Sequence, residues 1–184
     1  MERYQQSQQE KSLAWFKLAD LIARGEREKA LSVFRLLAHS LSDRAYVLQL
    51  EGDILWYLDD KSAVERYKQA AFLYQKEKRW VDAIAIYEHL LSQTPEAYEL
   101  LAKLLIFYAI IDWPEKFNER YNLLAQLFAN QNLDHAEIEK IFSDIIEVAK
   151  FAEDHHKKVW LMEWLVKTIP TLPHELGLRL GQKL

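Results

Sequence analysis

Apolar residues recur along this chain at steps of three and four, the spacing that lines one face of an α-helix. The pattern is clearest over residues 134–152. There Asp134 and Glu137 supply start signals, and Ile138, Ile141, Phe142, Ile145, Val148, Ala149 and Ala152 follow as one stripe. It is densest over 79–111. Trp80, Ala83, Ile84, Tyr87, Leu90 and Leu91 form one amphipathic helix. Thr94, Pro95 and Glu96 then read as a hydroxyl cap, a first-position proline and an acid favoured by the helix dipole. The helix they start carries Tyr98, Leu100, Leu101, Leu104, Leu105, Ile106, Phe107, Tyr108, Ile110 and Ile111. It is apolar around most of its circumference, so neighbours are expected on several sides.

The same reading extends to both ends. Residues 1–11 are polar and are expected to be a fraying extension before a helix over 12–24, whose stripe is Leu13, Phe16, Leu18, Leu21 and Ile22. Gly25 ends it, and a partner helix is expected over 27–39, where Ala30, Leu31, Val33, Phe34, Leu36, Leu37 and Ala38 recur at helical spacing. Ser40 to Asp43 cap a third helix reaching about Leu58, and Asp59 or Asp60 caps a fourth over 61–76 whose apolar set is Tyr67, Ala70, Ala71, Phe72 and Tyr74. Asp112, Pro114 and Glu115 start a helix to about Ala129, and a loop spans Asn130 to Leu133. Lys157 to Ile169 carries Trp160, Leu161, Trp164 and Leu165 before the breakers Pro170 and Pro173 and a short tail. Nine or ten helices fit this punctuation.

Composition narrows the class without naming a function. Only 4 Gly and 4 Pro in 184 residues argue against hairpin-rich sheets, so the fold is expected to be all-α. With no cysteine there is neither a disulfide nor a thiolate metal site. The polar start and the lack of a long uncharged apolar run point to a cytoplasmic protein with no membrane span. A formal charge of −4 disfavours a nucleic-acid partner.

Helix pairs of about 33 residues prompt a search for repetition. Ala30 and Phe34 recur 33 residues on as Ala63 and Tyr67, and again as Ala83 and Tyr87 followed by Pro95; Leu48, Gly52 and Leu55 precede the second copy. This arrangement resembles the tetratricopeptide repeat over residues 12–111. The resemblance implies antiparallel helix pairs stacked as a right-handed superhelix, in one domain over 12–184 capped by 157–183. It also implies an adaptor or chaperone that holds a protein or peptide segment. Ala63 to Ala83 spans one helix rather than two, so the helix at 61–76 fits either half of a repeat. The preferred pairing is 12–40, 43–76, 79–111 and 113–152. The family's two-carboxylate clamp needs Lys and Asn on successive first helices, and every Asn here lies at 118 or beyond.

Candidate site residues follow from faces and charge. Tyr46, Gln49, Asp53 and Trp56 project along one face of the third helix as a peptide-contact row. Trp15, Tyr57 and Trp113 lie near helix ends, where an interface role competes with packing. From Lys61 to Arg79 six basic residues meet two acids, so Arg66, Lys68, Lys76, Lys78 and Arg79 offer a basic surface to an acidic partner or to the acidic 134–154 region of another copy. Glu153 and His156, and separately His135 and Glu139, have metal-ligand spacing but lack the further ligands a site needs. No phosphate loop or catalytic motif is present, so neither an enzyme nor a cofactor is expected. The alternatives to an adaptor are a subunit of a homo-oligomer or permanent complex, and, less favoured, a helical metal protein or enzyme.

Overall fold

The computed structural model of the chain describes residues 2–131 and 134–184, with side chains over 12–129 and 134–184. Among these residues there are ten α-helices and no strand. They are α1 Glu2–Ala23, α2 Arg27–Ala38, α3 Arg44–Tyr57, α4 Ala63–Lys76, α5 Trp80–Gln93, α6 Tyr98–Ile110, α7 Pro114–Gln131, α8 His135–Lys150, α9 His155–Thr168 and α10 His174–Gly181, with a 3-10 turn at Ile169–Thr171. None is long and apolar enough to cross a membrane.

Several starts differ from the sequence reading; α4 begins at Ala63 after Ser62 without the side-chain cap expected of Asp59 or Asp60, and α9 begins at His155. The backbone is helical from Glu2 rather than from about Ser12, because a Gln-, Glu- and Lys-rich segment has good helix propensity without an apolar face. Thr94 does not cap the next helix: α6 begins at Tyr98 after Ala97, and the Thr94 hydroxyl turns back to donate to the Leu90 carbonyl, 3.0 Å away. One exposed acceptor at the end of α5 is satisfied that way. The loop expected at 130–133 is shorter, since α7 runs to Gln131; residues 132–133 lie outside the described residues.

Four helices close with a left-handed residue. Gly25, Asp59, Lys78 and Asp112 have φ of 70°, 55°, 59° and 60°. The next amide in each case bonds five residues back: Glu26 to Leu21, Asp60 to Leu55, Arg79 to Tyr74 and Trp113 to Tyr108. This is the Schellman way of satisfying the last carbonyls of a helix. Gly25 to Asp59 and Lys78 to Asp112 are both intervals of 34 residues. The first separates the ends of α1 and α3 and the second those of α4 and α6, an interval that either phase of helix pairing gives.

The chain divides into two compact units, residues 1–86 and 87–184. In the first, α1 packs on α2, α2 on α3 and α3 on α4. Ala30, Ala45, Ala63, Ala70 and Ala71 are fully buried, so backbones approach where side chains are small. A β-carbon on Gly52 would lie 2.9 Å from two ring atoms of Tyr67. Not all the expected stripes are buried. Leu18 and Leu21 are, but Leu13 and Phe16 are 70% and 74% exposed. Phe16 is two residues from Leu18, about 200° round the helix, and so looks the other way. Phe72 on α4 is also exposed, with the Lys76 ammonium 4.6 Å from its ring centre.

In the second unit α6 packs on α7 and α8, and α8 on α9 and α10. Leu101, Leu104, Leu105, Phe107, Tyr108 and Ala109 of α6 are buried, as its continuous apolar pattern predicts. Trp164 is the hub of an aromatic nest. It meets Phe117 and Tyr121 edge-on, each at 4.8 Å between ring centres, and stacks on Phe142 at 5.6 Å. Such pairs add about 0.5–1.5 kcal/mol each beyond the area they bury. Trp164, on the expected stripe of its helix, is therefore a packing residue. Leu176 and Leu180 of α10 are fully buried.

The Gly52 contact gives a stability test. Gly52→Ala gains up to about 1 kcal/mol of helix propensity. It also forces the held Tyr67 ring to move, at a cost of about 1–3 kcal/mol. A lower urea midpoint is expected, and an unchanged or raised one would show that the ring yields freely.

Candidate functional site

The sequence-selected row on α3 faces α4, and its four members have different environments. Asp43 is extended, with φ −83° and ψ 101°, and its side chain caps α3 by accepting the Tyr46 N–H at 2.9 Å. From that start Tyr46, Gln49, Asp53 and Trp56 climb one face of the helix. Tyr67 and Tyr74, two turns apart on α4, meet the middle of the row. The Tyr67 hydroxyl donates to Asp53 Oδ1 at 2.7 Å and the Tyr74 hydroxyl to Gln49 Oε1 at 2.8 Å. The Trp56 ring is tilted against Tyr67, 6.1 Å between centres. Gln49 and Asp53 thus tie the helix pair together. Tyr46, 43% exposed, and Tyr57, 68% exposed, share their face and reach solvent.

Arg79 closes the lower end of this row. Its Nη1 donates to Asp43 Oδ2 at 2.6 Å and its Nε to Asp82 Oδ2 at 2.9 Å, while the guanidinium lies 4.3 Å from the centre of the Tyr74 ring. Those two carboxylates hold it firmly protonated. The Tyr46 backbone N–H, aided by Arg79, holds the Asp43 carboxyl below the usual aspartate range against a smaller opposing effect of burial. Burial pushes Tyr74 up to about 12 and raises Tyr67 further, with Asp53 adding to the second shift.

The expected basic surface is partly used internally. Arg66 pairs with Glu51 at 3.1 Å and bonds Gln69, and Arg79 is paired as above. Lys68, Lys76 and Lys78 are exposed, Lys76 lying over Phe72. The structure therefore brings Tyr46, Gln49, Asp53, Trp56 and Arg79 onto one hairpin. Sequence reasoning missed Tyr67, Tyr74 and Asp43 as members of this group. The available signal was the seven-residue spacing of the two tyrosines, which puts them on one face of α4.

The second unit has a counterpart. Glu88 accepts from Arg120 Nε at 2.7 Å and Nη2 at 2.6 Å, and from the Tyr108 hydroxyl at 2.7 Å. This forked pair is largely shielded, Arg120 being 14% exposed. Asp112, Asp154 and His156 present ligand atoms within 4.8 Å of one another, the one group among the described residues with the donors for a metal ion. All three are exposed, and each carboxylate already has a protein donor. Asp154 accepts the Lys157 N–H at 2.9 Å as the cap of α9, and Asp112 accepts Trp160 Nε1 at 2.6 Å. Asp112 thus ends α6 and takes an indole N–H, in place of the capping role expected of it for α7. Glu153, the expected partner of His156, is outside the group.

Comparison of the chain with protein-family models, curated proteins and solved structures returns no match.

Two titrations test the hairpin. A carboxyl whose folded pKa is depressed stabilises above the unfolded pKa, about 4, and that contribution fades as pH falls. Asp43→Asn keeps a cap but cannot titrate, so its urea midpoint should fall less than that of the wild type between pH 6 and pH 3; identical acid limbs would contradict this. A tyrosine with a raised pKa stabilises below pH about 10 and loses that contribution above it. Phenolate absorbance of the folded protein should therefore show several late-titrating groups, one fewer in Tyr74→Phe.

Proposed function

We propose that this chain is a non-catalytic protein-binding scaffold, an adaptor or chaperone, built of tetratricopeptide-like helix pairs wound as a right-handed superhelix in the cytoplasm. The observation that carries the binding role is the α3 face. Tyr46 and Tyr57 are exposed on a helix whose intervening Gln49 and Asp53 are fastened to α4. Aromatic groups on a rigid support bury large area in a partner while losing little entropy. The repeat reading is supported by the 34-residue interval between equivalent left-handed turns and by the buried Ala30, Ala63 and Ala83. Lys68, Lys76 and Lys78, exposed on and after α4, would add salt-sensitive steering.

One observation favours the alternative of a homo-oligomer. Leu13 and Phe16 form an uncovered apolar pair on α1, and Leu36 on α2 is 74% exposed. Two copies could bury such surface.

A single preparation separates the two readings. Light scattering should give a monomer mass, and the immobilised chain should retain a protein from a lysate of cells that make it. The Tyr46→Ala, Tyr57→Ala double variant, whose changed side chains are exposed, should retain it at least severalfold less. Capture unaffected by that variant removes the α3 face from the proposal, and a stable dimer lost in Phe16→Ser would favour the oligomer.

A further inference from the structure

The ion pairs of this protein leave a conspicuous exception. Among the described side chains, Arg24, Arg27, Arg66, Arg79, Arg120 and Arg179 each hold a carboxylate, at 2.6 to 3.2 Å. Arg35 and Arg44 hold none among the described residues. Both line one cavity of about 460 Å³, between the last turn of α2 and the first turns of α3, and His39 lines it too. All three residues are exposed, whereas Phe34, which also lines it, is buried and Val47 is half-buried.

The electrostatics of the place favour an anion. Arg35 and His39 lie at the end of α2, where a helix dipole accommodates cations, but Arg44 opens α3, where the dipole opposes one. The first turn of α3 contains no acid, and the neighbouring Asp43 is committed to the Tyr46 amide and Arg79. Glu51, the acid lining the cavity, is bound to Arg66 at 3.1 Å. Two forked donors therefore line a cavity together with the apolar Phe34 and Val47, and no free carboxylate among the described residues answers them. A carboxylate matches the fork of an arginine, and an adjoining apolar side chain matches the apolar lining. A nucleic-acid backbone would use the charges but leave the apolar lining without a counterpart.

We propose that this cavity receives a protein segment in which a carboxylate side chain neighbours an apolar one, gripped by Arg35 and Arg44 with Phe34 and Val47 beneath. The inference rests on the scaffold reading above and gives it a partner chemistry, at a place distinct from the Tyr46 and Tyr57 face. It is tested on the full chain with a short fluorescein-labelled peptide of alternating aspartate and leucine, read by polarisation. An asparagine–leucine peptide and a single-stranded oligonucleotide of equal charge serve as comparisons. The aspartate–leucine peptide should bind, about tenfold or more tightly than the asparagine–leucine one. Arg35→Ala with Arg44→Ala should weaken it about tenfold, with the circular dichroism and urea midpoint unchanged. Arg35→Lys with Arg44→Lys should fall between, since charge is kept and the fork is lost. Equal binding of the two peptides, undiminished binding by the double alanine variant, tighter binding of the oligonucleotide, or no binding of the acidic peptide would each overturn the proposal. A lysate partner retained in full by the double alanine variant would overturn it while leaving the scaffold reading in place.

Discussion

Tyr67 lies across Gly52 with no room for a β-carbon between them, and its hydroxyl is fastened to Asp53 on the same helix as that glycine. The two constraints act together. The glycine lets the ring come close, and the hydrogen bond fixes the ring once it is there. A second bond, from Tyr74 to Gln49 two turns along, prevents α4 from sliding or rolling on α3. Arg79 then joins the start of α3 to the start of α5 through Asp43 and Asp82, with Tyr74 under its guanidinium. What α3 shows to solvent is consequently held by a frame of specific contacts rather than by apolar packing alone.

The second unit reaches rigidity by another route. An almost continuously apolar α6 buries six side chains, and Phe117, Tyr121, Phe142 and Trp164 interlock beside it. The charged element is again a tyrosine hydroxyl on an acid, here Tyr108 on Glu88, with Arg120 completing the pair. Removing one partner from so shielded a pair would leave a charge poorly solvated, so such groups specify a neighbour more than they add stability. In both units tyrosine serves two ends: its ring fills space beside a small residue or another ring, and its hydroxyl selects which acid or amide sits opposite.

That double use explains why polar residues were hard to assign from sequence. Gln49 and Asp53 stand in register with Tyr46 and Trp56 on a helical wheel, and nothing in their spacing separates a residue tied to the next helix from one open to solvent. Arg66 and Arg79 likewise read as a basic surface until Glu51, Asp43 and Asp82 are seen beside them. Phe16 and Phe72 read as core positions because they are large and apolar, although each lies off the arc that its helix buries.

The sequence by itself determined the helices, most of their ends, the all-α class and the positions where two backbones could come close. Those properties depend on residues within one or two turns of each other, and a periodicity of about 3.6 exposes them directly. The tertiary structure alone decided which acid answers which tyrosine or arginine, and which two arginines line a cavity with no acid paired to them among the described residues. The pairings of Tyr67 with Asp53 and of Arg79 with Asp43 join residues 14 and 36 positions apart, and they are set by how each helix is rotated and raised against its neighbour, which no local pattern records.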